Sequence, residues 1–290
     1  MIAVDWGTTS FRAYRLREAA IIDRIETRGG ILGVPAGAFP AALRAALAPW
    51  LAAGESEVLM CGMVGSRQGW AEAPYLTCPA SPAEIAAAAM TLPFDGARVR
   101  LLPGLVTRCP DGVPDVMRGE ETKLVGLLAT LGPSPALVCL PGTHSKWARL
   151  DAGQITGFTT HMSGELRAVL LEHSILGRLA QPAPPDEAAF RRGLDRAAAP
   201  GGLARHLFGT RALGLLGELP ATATESYLSG LLIGAEIAAA AMPGESVHLA
   251  GAEALVARYA LALGATGHPC RRHDEDIVAQ GLARLAVMAG

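Results

Sequence analysis

Two stretches far apart in the 290-residue sequence are built to one plan, and a chain that carries the same hairpin twice is constrained towards two related halves. In the first, Ile2, Val4 and Trp6 alternate with Ala3 and Asp5, Gly7-Thr8-Thr9-Ser10 supplies a turn, and Phe11–Leu16 returns. This reads as strand, tight turn, strand. In the second, the apolar run Ala136–Leu140 leads into Pro141-Gly142-Thr143-His144-Ser145 and a returning Lys146–Leu150, so G-T-x-S recurs in the same setting. Each hairpin is followed by another strand-like run, Ala20–Ile25 and Gln154–Thr160.

The turns have a definite chemistry. Gly7 permits backbone conformations that other residues resist. Successive amides in such a turn, with the hydroxyls of Thr8, Thr9 and Ser10, form a nest the size of a phosphate. Asp5 ends the entering strand, faces the same spot and would hold Mg²⁺ through water, as that ion prefers. Two such hairpins facing each other across a cleft would clamp the phosphate tail of a nucleotide.

Composition narrows the classes. Half the residues are hydrophobic and 18% are charged, enough apolar material for a large core in one big domain or two medium ones. A formal net charge of −2 argues against nucleic acid as the partner. The sequence opens directly on a strand, with no basic segment followed by an apolar one, so no signal peptide is expected. The apolar stretch Tyr227–Met242 is interrupted by Glu236 and is too short for a membrane span. Five scattered cysteines (Cys61, Cys78, Cys109, Cys139 and Cys270) without a C-x-x-C read as buried thiols in a reducing cytoplasm. Only two lysines occur, Lys123 and Lys146, and both lie beside candidate motifs.

Along the chain, Gly29–Gly33 reads as a flexible connection. Phe39–Ala53 has helical spacing, with Phe39, Leu43, Leu47 and Leu51 on one face and Gly54 at its end. Glu57–Cys61 reads as a buried strand. It runs into a Gly-rich loop, Gly62–Trp70, whose Gly65, Ser66, Arg67 and Trp70 sit where open α/β sheets bind ligands. Pro79–Met90 reads as a helix opened by Ser81-Pro82 with Glu84 behind. Arg98–Leu102 is a strand and Cys109–Pro114 a loop. Asp115–Lys123 then runs into an apolar helix. Its adjacent Glu120 and Glu121 either complement the helix dipole or present a general base, and the spacing leaves both open.

His144 has no partner at metal-ligand spacing, so a phosphate or substrate contact is expected of it. Lys146 is a natural phosphate partner. His161–Leu166 opens a helix through Leu171, with Ser163 as its cap and Glu165 as dipole support or a substrate-hydroxyl contact. Ile175–Leu179, Ala188–Leu194, Gly202–Leu216 and Glu225–Met242 read as helices separated by Pro-rich joints, an insert of the second half. The strand Val247–Gly251 ends in glycine and feeds a helix over Ala252–Leu263, a unit that brings a helix N-terminus close to a nucleotide. Asp274-Glu275-Asp276 would cap a last helix, Ile277–Met288. The P-loop and Rossmann fingerprints are absent, as are G-x-S-x-G and H-E-x-x-H.

The order of hairpin, carboxylate-led helix, second hairpin, strand–Gly–helix and final helix resembles the actin-like ATPase (ribonuclease H-like) fold. That fold is α/β and two-lobed, with duplicated mixed-sheet domains and a central ATP cleft. The local wording resembles one family more closely, the 2-dehydro-3-deoxygalactonokinases. The stretches that carry it are VDWGTTSFRAY (Val4–Tyr14), CGMVGSRQGW (Cys61–Trp70), APYL (Ala73–Leu76), VMRGEET (Val116–Thr122), LPGTHSKW (Leu140–Trp147), MSGEL (Met162–Leu166), LSGLLIGAE (Leu228–Glu236) and AGAEALVARY (Ala250–Tyr259). They span nearly the whole chain, although each hairpin alone is generic to the fold.

The resemblance implies a kinase that moves the γ-phosphate of ATP to the 6-hydroxyl of 2-dehydro-3-deoxy-D-galactonate, in galactonate breakdown. Phosphoryl transfer asks for positioning and charge stabilisation more than covalent chemistry. Gly7, Thr8, Thr9, Ser10 and Arg12, with Gly142, Thr143, His144 and Ser145, would hold the phosphates. Asp5 would anchor Mg²⁺. Lys146 or Arg12 would offset developing charge, and Glu120 or Glu121 would be the base. Arg67 and Arg118 are candidates for the substrate carboxylate, with Arg167 a weaker third. Gly65, Ser66, Trp70 and Glu165 complete the substrate set, and Ala250, Gly251 and Ala252 would pack against adenosine. Pro141 stands where many actin-like members carry an acidic residue, which leaves metal binding chiefly to Asp5.

The expected division is residues 1–123 as a first lobe, 124–273 as a second, and 274–290 as a helix crossing back to the first. The expected partner is a small sugar acid, with no nucleic acid or membrane, and a homodimer is left open. The competing readings are an exopolyphosphatase-like phosphohydrolase on the same fold and a non-catalytic nucleotide-dependent scaffold.

Overall fold

Both repeats form the hairpins that their alternation calls for. In the computed structural model, which describes residues 1–17, 20–109, 112–274 and 276–289, β1 (Ile2–Trp6) pairs antiparallel with β2 (Phe11–Arg17). The register runs from Trp6↔Phe11 back to Ile2↔Arg15, and β3 (Ala20–Thr27) adds to β2. Ile2, Val4, Trp6 and Phe11 face one core. The helix α1 (Phe39–Ala52) covers it with Phe39, Leu43, Leu47 and Trp50, a buried stripe at helical spacing. Leu51, expected on that stripe, is only partly buried because Trp50 takes the inward position. The strand β4 (Glu57–Cys61) lies parallel to β1 on its other side.

Beyond it follow β5 (Tyr75–Thr77), α2 (Pro82–Ala87), β6 (Met90–Leu92), β7 (Arg98–Leu101), β8 (Gly104–Arg108), β9 (Pro114–Met117) and α3 (Glu120–Leu131). The main sheet has the order β3-β2-β1-β4-β7-β6, and β5-β8-β9 form a small separate sheet. Two sequence expectations fail here. The helix read over Pro79–Met90 shrinks to α2, held by a Ser81–Glu84 capping box, because Met90 is drawn into strand pairing with Leu101. Cys78 and Cys109, read as buried thiols, are only partly buried, and in the second half Cys270 is exposed. The paired glutamates do open an apolar helix, as their position suggests. Pro114–Met117 is a strand, and Gly119 at φ +105° turns the chain so that α3 begins at Glu120. Within the loop read at Cys109–Pro114, Pro110 and Asp111 lie outside the described residues.

The second repeat has the same topology. It consists of β10 (Ala136–Leu140), β11 (Ser145–Asp151), β12 (Gln154–His161), α4 (Ser163–His173), α5 (Glu187–Ala198), α6 (Leu203–Leu215), α7 (Thr224–Ala240), β13 (Val247–Leu249), α8 (Glu253–Ala265) and β14 (Cys270–Arg272). The sheet order is β12-β11-β10-β13-β14, with β10, β13 and β14 parallel. Each sheet therefore has its third, second and first strands side by side, with a parallel strand added on the far flank of the first. This is the ribonuclease H-like plan, present twice, and the fold is that of the actin-like ATPases. Ser163 begins α4 without capping it, since the cap position is Met162 and no side chain bonds there.

The chain divides into two compact units. One comprises residues Met1–Pro135, Ala148–Phe158 and Glu275–Gly290, and the other Ala136–Trp147 and Thr159–Asp274. In the first unit a final helix, α9 (Ile277–Ala289), crosses α3 at two glycines. A Cβ on Gly281 would lie 1.8 Å from the Thr122 carbonyl oxygen, and one on Gly126 would lie 2.3 Å from that of Ile277. Close backbone packing of this kind fixes the start of α3. Of the expected acidic cap on α9, Glu275 lies outside the described residues. The Asp276 carbonyl accepts from the Ala279 and Gln280 amides, and its carboxylate pairs with Arg24 at 3.1 Å. No helix among the described residues is long and apolar enough to cross a membrane.

Candidate active site

In the first unit, β1 and β4 are parallel neighbours, so Asp5 and Cys61 stand side by side near their carboxyl ends. Open α/β sheets place ligands at such ends. Gly62 follows at φ +97°, and a Cβ there would lie 2.7 Å from the Trp6 carbonyl oxygen and 3.1 Å from Asp5 Oδ1. A Cβ on Gly119 would lie 3.1 Å from Gly62 Cα. Both glycines hold backbone that L side chains resist, and between them they bring the first turn of α3 against Asp5.

Asp5 keeps some solvent access, yet protein surrounds its carboxylate closely. Burial raises its pKa, Glu120 adds to the rise, and Lys123 and Arg12 oppose it. Its described hydrogen-bond donor is the Cys61 thiol, at 3.9 Å. Arg12 lies directly across the hairpin and also pairs with Glu26 at 2.8 Å.

The two glutamates separate cleanly. Glu121 is 1% exposed, and the Gly119 amide donates to its carboxylate at 2.6 Å. Burial first, then the neighbouring Glu120, pushes its pKa up to about 8. Glu120 is half-buried, accepts from the Arg118 amide at 3.1 Å, and is felt electrostatically by Asp5.

The first turn is braced from behind. The Gly7 amide donates to the Ser10 carbonyl at 2.9 Å, and Thr8 and Thr9 are exposed. Gly29–Gly33, read as a flexible connection, is instead docked. The Ile31 and Leu32 amides donate to the Gly7 and Thr8 carbonyls, and the Trp6 indole donates to the Gly29 carbonyl. The glycine that this arrangement requires is Gly30, not Gly7. A Cβ on Gly30 would lie 2.3 Å from Thr8 O and Thr9 N, whereas one on Gly7 would meet Ser10 Oγ at 3.3 Å. Gly30→Ala should therefore displace the turn and lower stability by about 1–3 kcal/mol, the usual cost of overpacking. Thermal unfolding checks this, and a melting temperature equal to wild type would show that Gly30 does not brace the turn.

The loop after Gly62 splits the substrate candidates. Arg67 is 86% exposed at the side chain and pairs with Glu72 at the surface. Trp70 packs against Phe94 and anchors the loop in the core. Arg118 is buried, donates to the Ala73 carbonyl at 2.8 Å and lies over the Tyr75 ring. Its Nη1 sits 2.9 Å from where a Gly65 Cβ would be. Arg118 Nε and Nη1, together with Ser66 Oγ, are buried without a hydrogen-bond partner among the described residues. Unsatisfied donors of this kind are rare in folded proteins.

In the second unit the turn after β10 repeats the device. A Cβ on Gly164 would lie 2.5 Å from the Gly142 carbonyl oxygen, so α4 is docked behind the second turn as Gly30 is behind the first. The Glu165 amide donates to the Thr143 carbonyl at 3.0 Å, and the Glu165 carboxylate pairs with the His144 ring. Gly251 follows the neighbouring parallel strand β13 and comes beside Pro141, whose carbonyl oxygen is 3.4 Å from the Gly251 Cβ position.

Ser145 does not offer its hydroxyl to a ligand. It is 0% exposed, bonded to the Tyr259 hydroxyl at 2.8 Å, and Tyr259 in turn donates to Glu236 at 3.0 Å. The Trp147 indole donates to the same carboxylate at 2.7 Å. Three of the sequence motifs meet in this buried network, which holds the core together. Lys146 is also buried and donates to Thr160 Oγ1 at 2.6 Å. Arg167 bonds Ser229 and pairs with Glu225.

The family model of the 2-keto-3-deoxy-galactonokinases matches residues 5–285. The chain is 41% identical over 294 residues to a Rhizobium meliloti (strain 1021) protein assigned as a 2-dehydro-3-deoxygalactonokinase, covering 98% of this chain and 95% of that protein. It is 38% identical over 269 residues to the 2-dehydro-3-deoxygalactonokinase of Escherichia coli (strain K12), covering 92% and 90%. A crystal structure of a Sinorhizobium meliloti protein assigned to the same activity is 39% identical and superposes with a TM-score of 0.89, over 99% of this chain and 97% of that one.

Proposed function

The chain belongs to the 2-keto-3-deoxy-galactonokinase family, and we infer that it is the kinase that phosphorylates 2-dehydro-3-deoxygalactonate at the terminal, C6 hydroxyl, with ATP as the phosphate donor. The observation that carries the reading of the site is the enclosed carboxylate of Asp5 at the braced Gly7–Ser10 turn, with the half-buried Glu120 beside it.

Each residue takes a role from its surroundings. The turn Gly7–Ser10, exposed at Thr8 and Thr9, holds phosphate oxygens through the amides and hydroxyls of Thr8, Thr9 and Ser10. Gly142, Thr143 and His144 do the same in the second unit, where Ser145 contributes backbone alone. Ala250, Gly251 and Ala252 pack against adenosine. Asp5 fits Mg²⁺, because its carboxylate keeps some solvent access and its hydrogen-bond donor among the described residues is a weak one, the Cys61 thiol, while Mg²⁺ takes one carboxylate with phosphates and water. When bound, the ion would neutralise charge on the phosphates.

Glu120 is the base that takes the proton from the acceptor hydroxyl. Glu121 is excluded from that role because its carboxyl is interior and tied to the Gly119 amide. Arg118 and Ser66, with unsatisfied donors around Gly65, receive the sugar acid, and the carboxylate matches the guanidinium. Arg67 stands at the rim.

The test is ADP release from Mg-ATP with and without 2-dehydro-3-deoxy-D-galactonate, with the gluconate epimer as comparison. ADP formed only with the sugar acid is expected. ADP formed equally without it would instead indicate a phosphohydrolase.

A further inference from the structure

Lys123 is a cation of the first unit to which the described network gives no role. Of the 25 lysines and arginines in the chain only two are lysines. One of them, Lys123, is the fourth residue of α3. That placement works against the helix, because the first turn carries the positive end of the macrodipole and disfavours a cation by about 0.3–1 kcal/mol. A local rule broken in this way marks a residue kept for another purpose.

The ordinary explanations do not apply. Glu120, three residues back, is the natural helical partner, yet no ion pair joins the two, and Lys123 forms no hydrogen bond or ion pair with any described residue. Nor does it project fully into solvent, since it is half-buried. Its neighbour Thr122 lies 3.8 Å from the Cys61 thiol, which lies 3.9 Å from Asp5. Gly119, which caps the same turn, packs on Gly62, and Gly62 adjoins the Asp5 carboxylate, so the first turn of α3 lies beside Asp5 and Lys123 is among the charges that act on it. Close packing of α9 on α3 through Gly126 and Gly281 holds that first turn in place.

We propose that Lys123 is a phosphate-binding residue of the transfer site, an ammonium group beside Asp5 that contacts the transferred phosphoryl group of ATP. A lysine suits this better than an arginine. Its compact point charge can follow a moving phosphoryl group, whereas a planar fork is held to one geometry. The inference rests on the kinase reading, because it assigns the anion to the γ-phosphate of ATP.

The experiment uses the whole wild-type protein and an acyl-phosphate derivative of ATP. A lysine amine near the phosphates attacks the acyl carbon, the C–N bond forms, the acyl–phosphate bond breaks, ATP leaves and the amine loses a proton. With only two lysines in the chain, peptide mass spectrometry reads the result directly. Acylation of Lys123, suppressed by excess Mg-ATP, is expected. Acylation confined to Lys146 would overturn the proposal.

In parallel, Lys123→Met should lower kcat by about 10–10²-fold and leave KM for the sugar acid unchanged, with Lys123→Arg recovering part of the loss. A Lys123→Met enzyme with wild-type kcat and KM would also overturn it. If wild-type protein is acylated at Lys123 but releases ADP without any sugar acid, the assignment of Lys123 stands and the acceptor reading fails.

Discussion

Asp5→Asn should lower kcat by about 10³-fold, the scale of losing one charge-stabilising part of a phosphoryl-transfer site. Asn keeps the shape of Asp, so the register from Trp6↔Phe11 to Ile2↔Arg15 and the fit of Gly62 against Trp6 are undisturbed. What changes is charge. Lys123 and Arg12 both act on this carboxylate, and with an amide in its place that attraction is lost together with the ligand for a metal. The loss should therefore fall on kcat and on the Mg²⁺ concentration needed for half-maximal rate, with KM for the sugar acid little altered. Steady-state kinetics over a Mg²⁺ series checks this, with circular dichroism as the control for folding. Turnover within about tenfold of wild type would remove Asp5 as the metal anchor and would favour a site built on other groups.

How much of this was legible beforehand depended on the range of the interactions. The hairpins, α1 and β4 follow from alternation and spacing within a few residues, and the repeat of G-T-x-S announced the duplicated plan. Failures occurred where a distant partner decided. Met90 left its helix because Leu101 offered a strand edge. Ser145 carries the turn pattern of Ser10, but Tyr259, far along the chain, claims its hydroxyl. Nothing local in Gly29-Gly30 distinguishes a linker from a brace, and only the 2.3 Å approach to Thr8 and Thr9 does so. Arg67 and Arg118 look equivalent as residue types. Exposure separates them, leaving Arg67 paired at the surface and Arg118 interior with two unsatisfied nitrogens. Lys123 was visible as one of two lysines, but its relation to Asp5 needed the turn at Gly119 and the crossing of α3 by α9.

The two adjacent glutamates should respond in opposite ways. Glu120→Gln should reduce kcat by about 10²–10⁴-fold, the contribution of a positioned general base. Glu121→Gln should leave kcat within about tenfold of wild type and act on stability instead. The direction follows from proton binding. Glu121 titrates at about 8 in the folded chain against 4.5 in its ordinary setting, chiefly because it is buried. Between those values the unfolded chain has released the proton and the native chain still holds it. The native state binds more protons there, so stability falls as pH rises through that window, and the contribution is complete only below it. A glutamine stays neutral throughout and still accepts from the Gly119 amide. The variant should thus flatten the decline of melting temperature between pH 5 and pH 8 that wild type shows, in the same preparations used for kinetics. If Glu121→Gln instead lost as much kcat as Glu120→Gln, with the pH slope of stability unchanged, the interior carboxyl would be the catalytic one. The first turn of α3 would then have to open for the acceptor hydroxyl to reach it.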